Sequence, residues 1–363
     1  MKGIVCRPLT DGGEQTPIEI IKHFDSDVGP VTGVCGSTDC GEVAVRLLSW
    51  MWLLGAVVLL PGQAIADVTI TDWRGRSASF TEGTVVSDGV KVVYHTAGDG
   101  PLVIFIHSIT GPWFDFRHQM VALSAQYRVV AMSTRGTDQS DKPVGVEHYT
   151  SAKIAGDLNA IIDHFGEDKA ILIGQDSGGL HAWHFAMTYP ERTDRLISLG
   201  SIHPAGLLRE LVTNPDQQRA SRFQRGMQEN PDAGAVFGER LRNRRPIQGE
   251  PAELAQLRTE AYERLDPESI VNFYKANWPT SPVTMETEAF GFTFGEFPPV
   301  TAPTLFIYGK DSGPFQTPTL NDMWEWVEGD LTIHVLPGVG HNPHTEVPEF
   351  VTPRIMEWLA TRR

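Results

Sequence analysis

The sequence predicts an α/β fold built on a doubly wound, mostly parallel sheet that carries an inserted helical segment. The first observation is a set of short apolar runs, most of them continuously apolar, which is typical of parallel strands buried on both faces. The second is that amphipathic segments of helix length separate these runs, so that strands and helices alternate. The third is one long stretch without any strand pattern. The six runs cover residues 102–106, 129–132, 170–173, 196–199, 304–308 and 332–336.

The sheet is expected to open with an antiparallel hairpin, formed by residues 78–86 and 90–96 around the turn sequence Asp88-Gly89. The later helices are predicted from apolar residues that recur at helical spacing and would face the sheet. Three such faces are evident, namely Ile154, Leu158, Ile161, Ile162 and Phe165; Leu180, Trp183 and Met187; and Val351, Ile355, Trp358 and Leu359.

Residues 204–285 break the alternation of strands and helices. This stretch is polar and helical and contains no run that resembles a strand. We predict that residues 204–285 form a helical cap over the ends of the strands. The core would then consist of residues 67–203 and 286–363.

Charge and cysteine content exclude several classes of function. The 363 residues carry a net charge of −15, which would repel a nucleic acid duplex, so nucleic-acid binding is not expected. The three cysteines are Cys6, Cys35 and Cys40. The remainder of the chain therefore has no disulfide, no thiolate metal site and no catalytic cysteine.

Residues 44–66 have the layout of a secretory signal peptide. Arg46 is followed by an apolar run from Leu47 to Leu60 and then by the small-residue sequence Ala64-Ile65-Ala66. We expect cleavage after Ala66 and a secreted or periplasmic mature protein without a membrane span. The alternative is an uncleaved segment that anchors the protein in a membrane. Residues 1–43 would be an N-terminal extension, either disordered or the product of a wrongly assigned start codon.

The stretch Gly174-Gln-Asp-Ser-Gly178 contains two adjacent candidate nucleophiles, Asp176 and Ser177. A nucleophile elbow is a strained turn from strand to helix, with small residues two positions before and two positions after the nucleophile. Counted from Asp176 both positions are glycines, whereas counted from Ser177 the first is Gln175. The sequence Asp-Ser-Gly-Gly also resembles the active-serine stretch of chymotrypsin-like proteases, but those proteins are all-β. We predict that Asp176 is the nucleophile, the alternative being a structural turn capped by this aspartate.

A carboxylate nucleophile attacks a saturated carbon and forms an ester that water must hydrolyse with the help of a general base. The base is normally a histidine held by an acid, in the chain order nucleophile, acid, histidine. His341 follows the last predicted strand and fits the base, with His344 as the fallback. Asp311 follows the strand at 304–308 and fits the acid, although a turn aspartate beside Gly313 is the alternative. The backbone N–H groups of Ser177 and Ile109 would hold the oxyanion.

From about residue 90 onwards these motifs resemble the epoxide hydrolase branch of the α/β-hydrolase superfamily. The sequence HSITGPWFDFRHQM at 107–120 stands where that family has a His-Gly-x-Pro loop followed by a tryptophan, and GQDSGG matches its aspartate elbow. The resemblance implies an α/β-hydrolase fold and conversion of an epoxide to a vicinal diol without a cofactor. It also implies cap tyrosines that donate to the epoxide oxygen, one of which matches Tyr274. His107 and Trp113 are expected to bind the substrate.

The chain departs from the family pattern in two places. Ser108 and Thr110 replace the glycine and proline of the loop after the first parallel strand. The second cap tyrosine has no counterpart, because its expected region, RFQRGMQENP, contains none. Tyr262 or a histidine such as His203 could take its place.

Two alternative functions stay open at this point. Haloalkane and haloacetate dehalogenases also resemble the chain, but the former carry a tryptophan and the latter arginines beside the nucleophile, where this chain has Ser177 and Leu180. A non-catalytic binding protein on the same fold is the other alternative. His341 and His344 lack a third ligand, so no metal site is predicted. The expected partner is a small-molecule substrate, and the oligomeric state is not predicted.

Overall fold

The computed structural model of the chain describes residues 5–8, 18–22, 67–244, 247 and 250–361. Its centre is one sheet of eleven strands. The strands are β1 Val5–Pro8, β2 Ile18–Lys22, β3 Val68–Thr71, β4 Ser77–Ser87, β5 Val90–Ala97, β6 Leu102–Ile106, β7 Arg128–Ser133, β8 Ala170–Gln175, β9 Thr193–Leu199, β10 Thr304–Gly309 and β11 Leu331–Leu336.

The strand order is β1-β2-β11-β10-β9-β8-β6-β7-β5-β4-β3. The six strands from β11 to β7 are parallel to one another, and the strands outside them pair in antiparallel fashion. These six parallel strands are the six apolar runs, so the predicted α/β fold class is confirmed. They are buried because helices cover both faces of the sheet.

The centre of the sheet contains a topological switch point. Strand β6 lies between β7 on one side and β8 on the other, so the chain leaves β6 in one direction and later returns to its other side. In open α/β sheets the crevice at the carboxyl ends of such strands is the usual place for a ligand. The loops after β6 and β8 are therefore the first places to look for a functional site.

Helices cover the sheet on both faces. Leu158 and Trp183 pack in the core of one face, and Met120 and Ile355 in the core of the other. The helices are α1 Arg117–Leu123, α2 Ser151–His164, α3 Ser177–Thr188, α4 Pro204–Thr213, α5 Pro215–Ala220, α6 Arg222–Glu229, α7 Ala233–Arg242, α8 Ala252–Arg264, α9 Pro267–Asn277, α10 Pro343–Glu346 and α11 Pro348–Ala360.

The predicted hairpin at the start of the sheet is confirmed as β4 and β5. Asp88 and Gly89 both have positive φ, 51° and 74°, as a tight two-residue hairpin turn requires. Three strands were not predicted. Strand β3 pairs with β4, and β2 lies between β1 and β11, the last of the parallel strands. Strands β1 and β2 differ from the disordered extension that was one of the two alternatives for residues 1–43, and β2 pairs with a strand more than three hundred residues away.

The segment predicted as the cap contains helices α4 to α9. Two arginines of α8 connect it to the core. Arg258 Nη1 lies 2.8 Å from Asp115 Oδ1, and Arg264 Nε donates to Asp138 Oδ1 at 2.7 Å. On α9, the Asn277 side chain accepts from the Ser151 backbone N–H at 2.7 Å. The limits of the cap and core stay predictions.

The predicted signal peptide at residues 44–66 lies outside the described residues. Within the described part of the chain, no helix is long and apolar enough to cross a membrane.

Candidate active site

Asp176 occupies a strained turn between β8 and α3. Its φ is 53° and its ψ is −123°, a backbone conformation that side chains other than glycine rarely adopt. A Cβ on Gly174 would lie 2.5 Å from the carbonyl oxygen of Gly178, and one on Gly178 would lie 2.1 Å from the carbonyl oxygen of Ile106. Glycine is therefore required at both positions. The structure contains the elbow that the glycine spacing predicts.

His341 is the histidine that reaches Asp176. It lies in the loop between β11 and α10, and its Nε2 is 2.7 Å from Asp176 Oδ2. The fallback candidate, His344, lies in α10, where its ring packs against Phe116 with the ring centroids 4.9 Å apart. The two side chains of the His341–Asp176 pair are about one-fifth exposed, so that solvent and ligands can reach them.

The predicted acid, Asp311, does not contact His341 in the structure. It follows β10 as expected, but its N–H donates to the carbonyl of Val339 at 2.9 Å and its side chain faces solvent. The next residue, Ser312, is buried and places its Oγ 3.3 Å from His341 Nδ1. The structure therefore does not bring Asp311 to His341, and the assignment of Asp311 as the orienting acid stays a prediction. The residue beside Nδ1 is Ser312, because the turn after β10 directs two neighbouring side chains in different directions.

The oxyanion donors are arranged differently from the prediction. The N–H of Ser177 donates to Asp176 Oδ1 at 2.6 Å, as expected. The N–H of Ile109, however, donates to the Oγ of Ser177 at 2.5 Å rather than to the carboxyl group. The Ser177 hydroxyl thus accepts from Ile109, and it also helps to lower the pKa of the Asp176 carboxyl group.

The carboxyl group of Asp176 is held in its ionised form. Burial acts to raise its pKa, but the hydrogen bond and charge of His341, together with the two Ser177 donors, outweigh burial. The pKa of Asp176 therefore lies below its ordinary value of 3.8. Both carboxylate oxygens have a partner, since Oδ1 accepts from the Ser177 N–H and Oδ2 hydrogen-bonds His341 Nε2.

A cavity of about 780 Å³ opens above Asp176, between the core and the cap helices. Tyr274, on α9, lines this cavity together with Asp176 and His341. Its side chain is buried, and burial together with the negative charge of Asp176 raises the pKa of Tyr274 well above 10.0. Tyr274 is therefore a protonated phenol that faces the same space as the carboxylate.

The two side chains predicted to bind the substrate lie away from the cavity in the structure. His107 is buried, its Nδ1 lies 2.6 Å from the carbonyl of Ser108, and its Nε2 accepts from the N–H of Thr134. Trp113 stacks on His95 with ring centroids 3.8 Å apart. Neither side chain lines the cavity. Both belong to loops near the site, but His107 ties two loops together and Trp113 packs in the core.

The two suggested substitutes for the missing tyrosine also lie elsewhere. The hydroxyl of Tyr262 accepts from Arg244 at 2.6 Å, and His203 caps the N-terminus of α4. Neither lines the cavity. The cavity wall instead contains Gln224, on α6, which sequence reasoning missed although it lies within the expected region.

The fold and this site can be compared with known proteins. A family model described as alpha/beta hydrolase fold matches residues 101–348, which is more than half of the chain. The chain therefore belongs to the α/β-hydrolase fold family. Within that family it is epoxide hydrolase-like, as its relatives indicate.

Two of the relatives named epoxide hydrolase show the extent of the match. Epoxide hydrolase 1 of Caenorhabditis elegans is 39% identical over 188 residues, covering 50% of this chain and 46% of that protein. Epoxide hydrolase 4 of Mus musculus is 30% identical over 200 residues, covering 53% of this chain and 54% of that protein. The matches span about half the length of these relatives.

Solved structures of epoxide hydrolases have a similar fold. One from metagenomes of hot environments is 28% identical with a TM-score of 0.66, covering 78% of this chain and 99% of that chain. The Bacillus megaterium epoxide hydrolase in complex with an inhibitor is 25% identical with a TM-score of 0.68, covering 77% of this chain and 100% of that chain.

Proposed function

We propose that the protein hydrolyses an epoxide to a vicinal diol through a covalent ester on Asp176. The observation that carries this proposal is the position of the ionised carboxylate, with Oδ2 beside His341 and the protonated phenol of Tyr274 across the same cavity. The family relationship supports the same reaction. No cofactor takes part in it.

The first step opens the ring. Asp176 Oδ2 attacks an epoxide carbon, the bond from that carbon to the ring oxygen breaks, and the ring oxygen takes the phenolic proton of Tyr274. The products are a hydroxyalkyl ester on Asp176 and a tyrosinate that is reprotonated by solvent. This step is favoured because the Tyr274 phenol donates to the ring oxygen as negative charge develops on that oxygen.

The second step hydrolyses the ester. His341 Nε2 takes a proton from water as the water oxygen attacks Asp176 Cγ, and the negative charge develops on Oδ1, which Ser177 holds. The intermediate then collapses, and Oδ2 leaves with the alkyl group and the proton from His341. A water oxygen stays in Asp176 and the original Oδ2 becomes part of the diol.

Intact-mass spectrometry of the His341→Gln protein, incubated with styrene oxide and 1,2-epoxyhexane, tests this proposal. The ester should persist without its base, so the protein should gain the whole mass of an epoxide on Asp176. A gain from chloroacetate without chloride would favour a dehalogenase instead. Label on Ser177 would make Ser177 the nucleophile and contradict the ester on Asp176, and no adduct at all would favour a binding protein.

The haloalkane alternative loses a candidate donor in this structure. The indole N–H of Trp113, which was expected to bind the substrate, is a group that could hold a leaving halide, but Trp113 stacks on His95 in the core. Position 177 carries a serine rather than a tryptophan. The dehalogenase reaction is therefore the second candidate function, after epoxide hydrolysis.

Ester hydrolysis is expected to depend on Ser312 more than on Asp311. The Ser312 hydroxyl can donate to Nδ1 or accept from it, which suits both tautomers of His341. We expect Ser312→Ala to slow ester hydrolysis roughly fivefold to tenfold, as for the loss of one hydrogen bond of about 1 kcal/mol. Ester formation should change little.

Rapid-quench mass spectrometry measures the two steps separately in the Ser312→Ala protein. The matched control is Asp311→Asn. Because the Asp311 side chain faces solvent, this variant should form and hydrolyse the ester at rates near those of the native protein. A larger effect of Asp311→Asn on ester hydrolysis would restore Asp311 as the orienting acid.

The rate of ester formation should be independent of pH over a wide range. The step needs Asp176 ionised and is lost as pH falls through its lowered pKa. It also needs Tyr274 protonated and is lost as pH rises through its raised pKa. We expect a flat profile between about pH 5 and pH 9 in single-turnover experiments on the native protein. An alkaline limb inside this window would contradict Tyr274 as the donor.

We also propose that the mature protein is secreted or periplasmic, on the basis of residues 44–66 alone. N-terminal sequencing of the protein recovered outside the cytoplasm should begin at Asp67. Recovery of the uncleaved chain in a membrane fraction would support the anchored alternative.

A further inference from the structure

We propose that the side-chain amide of Gln224 is the second donor of the cap to the epoxide oxygen, beside Tyr274. This inference rests on the proposed function and names a further residue for it. Gln224 would take the place of the second cap tyrosine, which this chain lacks.

The first evidence is the unpartnered amide oxygen of a buried side chain. Gln224 is 7% exposed, and its Oε1 has no hydrogen-bond partner among the described residues. A buried polar group without a partner is costly in a folded protein, and a ligand or a bound water can supply the missing hydrogen bond. An amide presents an oxygen on one side and two N–H donors on the other, and the two sides exchange by rotation about one torsion.

The second evidence is the position of Gln224. It lines the cavity with Tyr274 and Asp176. Gln228 lies one helical turn later on α6, and its Nε2 donates to the carbonyl of Tyr274 at 3.1 Å and to that of Trp278 at 2.8 Å. Residues four apart share a helix face, so the face of α6 that carries Gln224 packs against α9 next to Tyr274.

A second hydrogen-bond donor such as the Gln224 amide would assist ring opening. Negative charge develops on the epoxide oxygen as the bond to carbon breaks, and each donor aimed at that oxygen lowers the barrier. Tyr274 can transfer a proton, whereas a neutral amide can only donate a hydrogen bond. Gln224 would therefore accelerate ester formation and would have no part in hydrolysis of the ester on Asp176.

The test compares Gln224→Met with the native glutamine, each in the His341→Gln protein, with styrene oxide as the probe. Methionine has nearly the volume of glutamine and no donor. We expect ester formation, followed by rapid-quench intact mass, to slow about 10- to 100-fold. In proteins that retain His341, the rate at which a preformed ester decays should be unchanged by Gln224→Met.

Two further variants separate this role from a structural one. Gln224→Glu keeps the size of the side chain, and its negative charge should slow ester formation at least as much as Gln224→Met does. Gln218→Met is the matched control, because Gln218 bonds the carbonyl of Leu211 on α4 and does not line the cavity. It should leave both rates unchanged.

The outcomes distinguish the inference from the proposed function. The deciding comparison is between the protein that carries both Gln224→Met and His341→Gln and its parent, which carries His341→Gln alone. Adduct formation at equal rates in these two proteins would overturn the inference alone. The absence of any adduct in the parent would overturn the proposed function and the inference with it.

Discussion

Replacing Asp176 with alanine is expected to reduce epoxide turnover by about 10⁴-fold or more, because the reaction loses the group that forms the ester. Alanine is preferred to asparagine, since an amide beside His341 could be hydrolysed back to the acid. The measurement is steady-state diol formation, with thermal unfolding to establish that the variant folds.

Ser177→Ala is the matched control for this prediction. It removes the hydroxyl that accepts from the Ile109 N–H, but it keeps the backbone N–H that donates to Asp176 Oδ1. We expect a loss of roughly tenfold, well below that of Asp176→Ala. A complete loss in Ser177→Ala combined with activity in Asp176→Ala would make Ser177 the nucleophile.

Replacing Arg135 with methionine is expected to lower the free energy of unfolding by about 3–5 kcal/mol. Its guanidinium donates to both carboxylate oxygens of Asp157, at 2.9 and 2.5 Å, and both side chains are fully buried. Burial raises the pKa of Asp157 and the Arg135 charge only partly offsets it. Without Arg135 the Asp157 carboxyl group would be buried with no cation beside it.

Urea unfolding measures this effect. The matched control is Lys153→Met, which breaks the exposed ion pair with Asp88 and should lower the free energy of unfolding far less than Arg135→Met does. The double variant Arg135→Met with Asp157→Leu should recover much of the loss, because no buried charge is left unpaired. A single-variant loss as small as that of Lys153→Met would contradict this interpretation.

The parallel sheet and the elbow could be predicted because local patterns determine them. A strand that is buried on both faces must be apolar throughout, and a turn with carbonyl groups 2.1–2.5 Å from an added Cβ must carry glycine at those positions. His341 could be placed because it follows the last strand of the core. In these cases the physical constraint acts on residues that are close together in the sequence.

The differences between the predicted and the observed site concern the direction of side chains. Asp311 and Ser312 are neighbours after the same strand, and only the backbone path of the turn decides which one faces His341. His107 and Trp113 have the residue types of a binding site, but tertiary packing turns both away from the cavity. Gln224 could have been considered by looking for any polar side chain, rather than a tyrosine, in the region RFQRGMQENP.

One measurement tests the covalent ester on Asp176 most directly, namely a single turnover of an epoxide in water labelled with ¹⁸O, with the native protein in excess. Water attacks Asp176 Cγ in the proposed reaction, so the diol of the first turnover should be unlabelled and the peptide containing Asp176 should carry the label. A diol that carries the label, with unlabelled Asp176, would mean that water attacks the epoxide directly and would contradict the ester.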